Sequence, residues 1–405
     1  MQQPGWLLAF GGLYCLFGWL LGSYTVLRWP WLRLRLVLQR LGLTALATLT
    51  VAILIGWLFA LGPAHVSLLN RGVMVQLLLC QSLLALVIRL VLRWAVRNPS
   101  TQWRLMVPPQ EQQEVYREWQ RNPFVQRPRL LSPARLNLTQ GLRSGSLALA
   151  LAPSLQLDDL QRSQIGQLQA RGVLVTTLEE LAQRQLERLP PTLLPEDWLA
   201  YDELRWSNEF SFQRNLKRTA DVGVSLLLLV LTAPLLVVLA LLIWLEDRGS
   251  VFYIQERTGW MGRSFFLLKL RSMREVPQGT PTPWTRPGDR RVTRIGALLR
   301  RSRLDELPQL VNVLRGEMSL IGPRPEQPKL DIQLSEAIPH YRKRYWMLPG
   351  LSGWAQVCGP AYPASQDEAE LKLSYDLYYL RNWSLALDLL ILVKTIKTLL
   401  KVKGL

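Results

Sequence analysis

The chain has 405 residues, enough for two or three domains with a sizeable core. Hydrophobic residues make up 49% and charged ones 19%, which excludes a disordered chain; three Cys and two His exclude a disulfide scaffold and leave little for a zinc centre. The 48 Lys and Arg against 30 Asp and Glu give a net charge of +18, a sign suited to an anionic membrane surface or anionic substrates.

No Asp or Glu precedes Glu111, and all nine Lys lie at or beyond Lys217. Within residues 1–97, three apolar runs are expected to be transmembrane helices: Trp6–Leu27, Leu41–Gly62 and Val73–Val96. Each is long enough to cross roughly 30 Å of hydrocarbon at about 1.5 Å per residue. Arg28, Arg33, Arg35 and Arg40 crowd the first connection, Arg89, Arg93 and Arg97 close the third run, and the second connection carries only Arg71. The positive-inside bias then places the first connection and everything after residue 97 in the cytoplasm.

Residues 98–211 read as a soluble α/β unit. Strands are expected at Arg104–Val107, Ser146–Ala150 and Val173–Thr176, and helices at Gln110–Gln120, Leu157–Ala170 and Thr177–Leu189. A dinucleotide-binding unit needs a glycine-rich turn after its first strand, so that backbone N–H groups can reach a pyrophosphate. The turn here is Val107-Pro108-Pro109-Gln110, so the unit is expected to be a degenerate Rossmann-like scaffold.

The last zone, residues 212–405, opens with the apolar run Val222–Leu245, which has Pro234 at its middle. It reads either as a proline-kinked crossing or as a broken helix that enters the membrane and returns. Arg214, Lys217 and Arg218 precede it, and Arg248, Arg257, Lys269 and Arg271 follow. Cations on both flanks favour the re-entrant form, because a crossing is asymmetric in charge.

Three constellations carry chemistry. Lys269 and Arg271 stand at i and i+2 at the end of an expected strand, where both could grip a phosphate. Asp305 and Glu306 follow Arg300-Arg301-Ser302-Arg303; with a divalent metal, such a pair suits phosphoryl transfer, one acid acting as nucleophile. Gly322-Pro323-Arg324-Pro325 is a rigid turn that fixes one guanidinium in direction. Together they describe a diphosphate site without a histidine base. Further on, Leu348–Val357 reads as a turn followed by a short strand or loop. Leu385–Val402 reads as a core helix or a membrane-surface helix, with Lys394, Lys397 and Lys401 on one face.

In this order the motifs closely resemble those of the bacterial sugar transferases, the polyprenyl-phosphate hexose-1-phosphate transferases, over about residues 216–405. The run Tyr375-Asp376-Leu377-Tyr378-Tyr379-Leu380 and the run Asn382-Trp383-Ser384-Leu385 belong to the same pattern. The resemblance implies transfer of a hexose 1-phosphate from a UDP-sugar to undecaprenyl phosphate with release of UMP, as the first membrane step of exopolysaccharide, capsule or O-antigen synthesis. It implies Mg2+ as cofactor, Asp305 as the nucleophile of a covalent phosphosugar intermediate, and Glu306 beside it for metal and geometry. Lys269, Arg300, Arg324 and Asp376 match further family positions, and Pro234 matches the break of a re-entrant helix.

The expected architecture is therefore an α-helical membrane region, an α/β middle unit and a mainly α-helical monotopic catalytic domain with a re-entrant membrane helix. The expected location is the bacterial inner membrane, multi-pass, with the catalytic domain cytoplasmic. The expected partners are a UDP-sugar, undecaprenyl phosphate and the bilayer, not nucleic acid, with room for a homo-oligomer. A UDP-releasing membrane glycosyltransferase and an inactive scaffold are the rival classes. Leu270 and Arg303 depart from the family pattern, the latter adding a charge two residues before Asp305, while the dyad itself is intact.

Overall fold

The computed structural model describes residues 4–20, 34–59, 71–95, 102–122, 125, 127–131, 147–208, 210–274, 289, 291–360 and 365–400. Arg28, Arg33 and Arg97, which orient the apolar runs in the sequence, lie outside the described residues, as does Lys401 at the end of the last expected helix. The chain forms two compact units, one of Met1–Leu105, Asn122–Leu149 and Leu157–Val175, the other of Met106–Arg121, Ala150–Gln156 and Thr176–Leu405.

The first unit contains the apolar helices α1 (Pro4–Leu20), α2 (Leu34–Phe59) and α3 (Arg71–Ala95). Phe10 and Tyr14 of α1, Ala52 of α2 and Leu78 of α3 bury one another, and the Tyr14 hydroxyl donates to Ser82 Oγ at 2.9 Å. Most other apolar side chains described on α2 and α3 remain exposed, Leu46, Leu54 and Leu79 among them. A core helix of a soluble protein would cover such side chains. Among the described residues, the two helices long and apolar enough to cross a membrane contain Val37–Leu54 and Phe212–Asp247.

A four-stranded sheet follows in the order β2 (Arg129–Leu131), β1 (Gln102–Met106), β3 (Leu147–Leu151), β4 (Leu174–Thr177). Between its strands come α4 (Gln112–Gln120) and α5 (Asp159–Ala170), and α6 (Leu178–Leu186) follows β4. Three strands and three helices thus stand within a few residues of their expected places. α5 starts with a capping box, Asp158 accepting from Gln161 N while the Gln161 side chain accepts from Asp158 N.

In the second unit α7 (Phe212–Asp247) is one helical element that continues through Pro234. The proline ring removes the donor that Val230 O would otherwise receive, a cause for a bend at that point. Both ends of α7 are tied down. Near its start Lys217 donates to Ile321 O at 3.0 Å and pairs with Asp388 at 2.8 Å, and Asp221 accepts from Ser319 Oγ at 2.7 Å. Near its end Asp247 pairs with Arg271, and Glu246 accepts from Arg294 N at 2.8 Å.

The hairpin β5 (Phe252–Thr258) and β6 (Ser264–Leu270) is antiparallel, with Lys269 opposite Tyr253. Next come α8 (Arg294–Ser302), α9 (Gln309–Arg315), β7 (Ser319–Ile321), α10 (Pro328–Ala337), β8 (Gly350–Ser352), α11 (Trp354–Cys358), α12 (Gln366–Asn382) and α13 (Leu385–Leu400). The segment read as a turn with a short strand or loop is thus a strand followed at once by a one-turn helix. The largest cluster buries Trp354, Tyr379 and Trp383 together with Leu189, Trp198, Leu204 and Trp206. Residues on both sides of position 211 therefore share one core.

Candidate active site

The way α8 ends sets the carboxylate pair. The helix starts at Thr293, whose side chain accepts from Gly296 N at 2.9 Å. It stops at Arg303, which adopts the left-handed conformation at φ 58°. For a residue with a Cβ that conformation costs roughly 1–2 kcal/mol. The turn leads straight into a single tight 3-10 turn, Leu304–Glu306, just before α9. Asp305 and Glu306 are consequently buried, at 8% and 9% exposure.

Their surroundings differ. Glu306 Oε1 accepts from Arg324 Nη2 at 2.6 Å and lies 3.7 Å from Lys269 Nζ, while its Oε2 lies 4.0 Å from Arg303. Among the described residues, the Asp305 carboxylate accepts no hydrogen bond and forms no ion pair. Burial, then repulsion from Glu306, pushes Asp305 up to about 6, although Lys269, Arg300 and Arg324 pull the other way. Burial would raise Glu306 as well, but Arg324 and Lys269 outweigh it and hold this carboxyl down at about 2. Burial lowers Lys269 to about 8, with Arg324 adding to the fall and both carboxylates opposing it. Environment has split the two acids into a fixed anion and an uncommitted carboxyl group.

Arg324 is aimed by backbone packing. β7 pairs in parallel with β8, and Gly322 N donates to Ser352 O at 2.8 Å. A Cβ on Gly322 would stand 2.3 Å from Leu348 O, so only glycine lets the two segments close. Gly350 N then donates to Pro323 O at 2.9 Å and fixes the turn. From behind, Arg344 Nη2 donates to Arg324 O at 2.9 Å. Arg344 is itself 2% exposed, pairs with Asp376 at 2.8 Å and donates to the Tyr341 hydroxyl at 2.7 Å. Glu326 Oε1 lies 3.8 Å from Arg344 and also accepts from Lys372.

Asp305, Glu306, Lys269 and Arg324 thus come together, with Arg300 acting on Asp305 by charge from the last turn of α8. Asp376 lies behind Arg344 rather than among them. Arg271 falls just past the end of β6 and pairs with Asp247. Pro234, expected as the break of the helix, lies inside α7, which continues through it from Phe212 to Asp247. Arg344 escapes sequence reading because Tyr341-Arg342-Lys343-Arg344-Tyr345 looks like any basic surface segment.

The buried dyad is the site whose donor set suits a hard cation: Asp305, with Glu306 Oε2, offers carboxylate oxygen. A second acidic group, Glu114, Glu118 and Glu370, is already compensated. Glu118 pairs with Arg188 and, at 2.6 Å, with Arg121, and Glu370 lies 3.5 Å from Arg117.

These protonation states predict a bell-shaped pH dependence of kcat/KM. Activity falls below about 6 as Asp305 takes up a proton, and above about 8 as Lys269 loses one. Lys269→Arg keeps its charge at every accessible pH, so the alkaline limb is expected to disappear in that variant while the acid limb stays. A pH–rate profile of both proteins checks this.

The family model described as bacterial sugar transferase matches residues 212–402, which contain the whole dyad cluster. The chain is 44% identical over 187 residues to a UDP-glucose:undecaprenyl-phosphate glucose-1-phosphate transferase of Caulobacter vibrioides, a match spanning 45% of this chain and 69% of that protein. It belongs to the bacterial sugar transferase family. An exopolysaccharide production protein of Rhizobium leguminosarum bv. phaseoli is 39% identical over 186 residues, 45% of this chain and 93% of that protein. A UDP-N-acetylgalactosamine-undecaprenyl-phosphate N-acetylgalactosaminephosphotransferase of Aeromonas hydrophila is 44% identical over 185 residues. That last match takes in 46% of this sugar transferase and 44% of the relative, so it spans less than half of the relative's length.

Proposed function

We propose that this sugar transferase moves a hexose 1-phosphate from a UDP-sugar to undecaprenyl phosphate and releases UMP. The observation that carries the reading is Asp305, uncommitted and buried, beside a Glu306 that Arg324 and Lys269 hold as an anion. The names of the matched relatives agree in donor and acceptor class.

In the first step an Asp305 oxygen attacks the sugar-side phosphorus. The new bond joins carboxylate to phosphorus, the diphosphate bridge breaks, and its oxygen leaves with UMP. In the second step an oxygen of the lipid phosphate attacks the same phosphorus and frees Asp305. Neither nucleophile needs a base, since both are anions already. Lys269, Arg300 and Arg324 counter the charge that builds on the equatorial oxygens. Asp305 and Glu306 would hold magnesium, which when bound supplies further neutralisation of the diphosphate.

The same reading takes α1–α3 as crossings of the bacterial inner membrane and α7 as re-entrant, with the catalytic part cytoplasmic. The anchors of α7 support this. A straight helix would separate Asp221 from Leu239 by about 27 Å, close to the thickness of the hydrocarbon. Yet β7 beside its start and β6 beside its end belong to one body, joined through Phe265, Leu267, Met318 and Leu320. One charged body does not sit on both sides of a bilayer, so the helix enters and leaves by the same face.

Membranes holding the protein, incubated with labelled UDP-sugars, magnesium and undecaprenyl phosphate, are expected to form UMP in step with the lipid product. UDP as the stoichiometric product would move the protein to the glycosyltransferases.

A further inference from the structure

Among the described residues, one face of the β5–β6 hairpin has no covering layer over much of its length. The register sets Phe252 opposite Leu270, Ile254 opposite Leu268 and Glu256 opposite Phe266, so these six side chains share a face. At one end Leu270 is buried with Leu239 and Ile243 of α7 and Leu299 of α8. Beyond that contact the face opens. Phe252 is 50% exposed, Ile254 61% and Phe266 65%. A hairpin in water normally turns polar residues outward, and three bulky apolar ones on one face call for a partner.

The other face of the hairpin already has its roles: Phe265 and Leu267 pack on Val313 and Met318, and Lys269 reaches Glu306. The open face is continuous with α7, since its buried end packs on the same turn of helix that leaves Leu241, Leu242 and Leu245 exposed. Exposed cations stand next to it in the chain, Arg248 just past the end of α7 and Arg263 just before β6. An apolar strip edged by arginines matches the boundary between headgroups and acyl chains of an anionic bilayer.

We infer that the face bearing Phe252, Ile254 and Phe266 lies in the membrane interface and forms a second lipid contact beside α7. The hairpin then stands between lipid and catalytic site, with Lys269 on its far side, one strand's thickness from the bilayer. This rests on the reading of α7 as a membrane helix, and the experiment separates the two.

Cys15, Cys80 and Cys358 are replaced by Ser in the full chain, and single cysteines are introduced as Ile254→Cys, Phe266→Cys, Tyr253→Cys and Val230→Cys. Each is labelled with an environment-sensitive fluorophore and reconstituted in phosphatidylglycerol-containing vesicles whose lipids carry nitroxides at shallow or deep positions. Fluorescence is expected to be lost at 254, 266 and 230 but kept at 253, which is exposed on the opposite face of the same strand. Quenching at 230 without quenching at 254 and 266 overturns the inference and leaves the membrane helix intact. Equal quenching at 253 overturns the face assignment. Absence of quenching at 230 removes the membrane reading of α7 itself. Crosslinking at position 254 to a second copy, with no quenching there, would make the face a dimer contact instead.

Discussion

Asp305→Asn is expected to lower turnover by about 10³-fold or more and to leave no phosphosugar on the chain. An amide oxygen cannot accept the phosphoryl group, and the neighbouring carboxylate is no substitute, since Arg324 and Lys269 hold Glu306. Glu306→Gln is expected to be crippled for a different reason. Removing the anion leaves Arg324 and Lys269 facing each other across a neutral amide, so both lose their fixed positions. Intact-mass measurement after quenching, with labelled UDP-sugar and no lipid acceptor, distinguishes the two. Wild type should carry one hexose phosphate, lost on later addition of undecaprenyl phosphate, and Asp305→Asn should carry none. Turnover by wild type without any adduct would mean direct attack by the lipid phosphate, with Asp305 reassigned to holding the metal.

The second large effect is expected at Arg344, which stands behind Arg324 rather than at the reacting atoms. Arg344→Met strands Asp376, which is 1% exposed, and such a loss costs about 3–5 kcal/mol of stability. It also releases the carbonyl of Arg324, so the guanidinium that holds Glu306 drifts. A displacement of about 1 Å is enough for a ~10²-fold fall in kcat/KM. The double variant Arg344→Met with Asp376→Leu removes the orphaned charge. It should recover much of the stability, read by denaturant unfolding in detergent, and little of the activity. Recovery of both together would reduce Arg344 to a purely structural residue.

Local signals made much of the fold readable. The alternation of strand and helix put three strands and three helices of the middle segment near their places. β2 escaped because Arg129–Leu131 is too short to alternate. The β7–β8 pair escaped because two three-residue strands about thirty positions apart carry no periodicity. In the site, Asp305, Glu306, Lys269 and Arg324 stood out through the order of their motifs. Which of them bind one another did not: Lys269 and Arg271 sit two apart, yet the strand ends between them and they part to Glu306 and Asp247. Nor could composition tell the buried Arg344 from the exposed Arg342 two positions earlier, since burial is decided by helices distant in sequence.

The shared core around Trp206 and Trp383 has a consequence for building hybrids of this protein. Their rings meet edge to face at 5.3 Å, and Trp198 and Leu189 join the same cluster. Exchanging the front of the chain for that of another transferase with a splice at residue 212 would discard Leu189, Trp198 and Trp206 and open a hole beside α12. A splice that keeps Leu189–Trp206 with the catalytic half would transplant a finished surface. The seam for module exchange therefore lies upstream of the point where the composition changes.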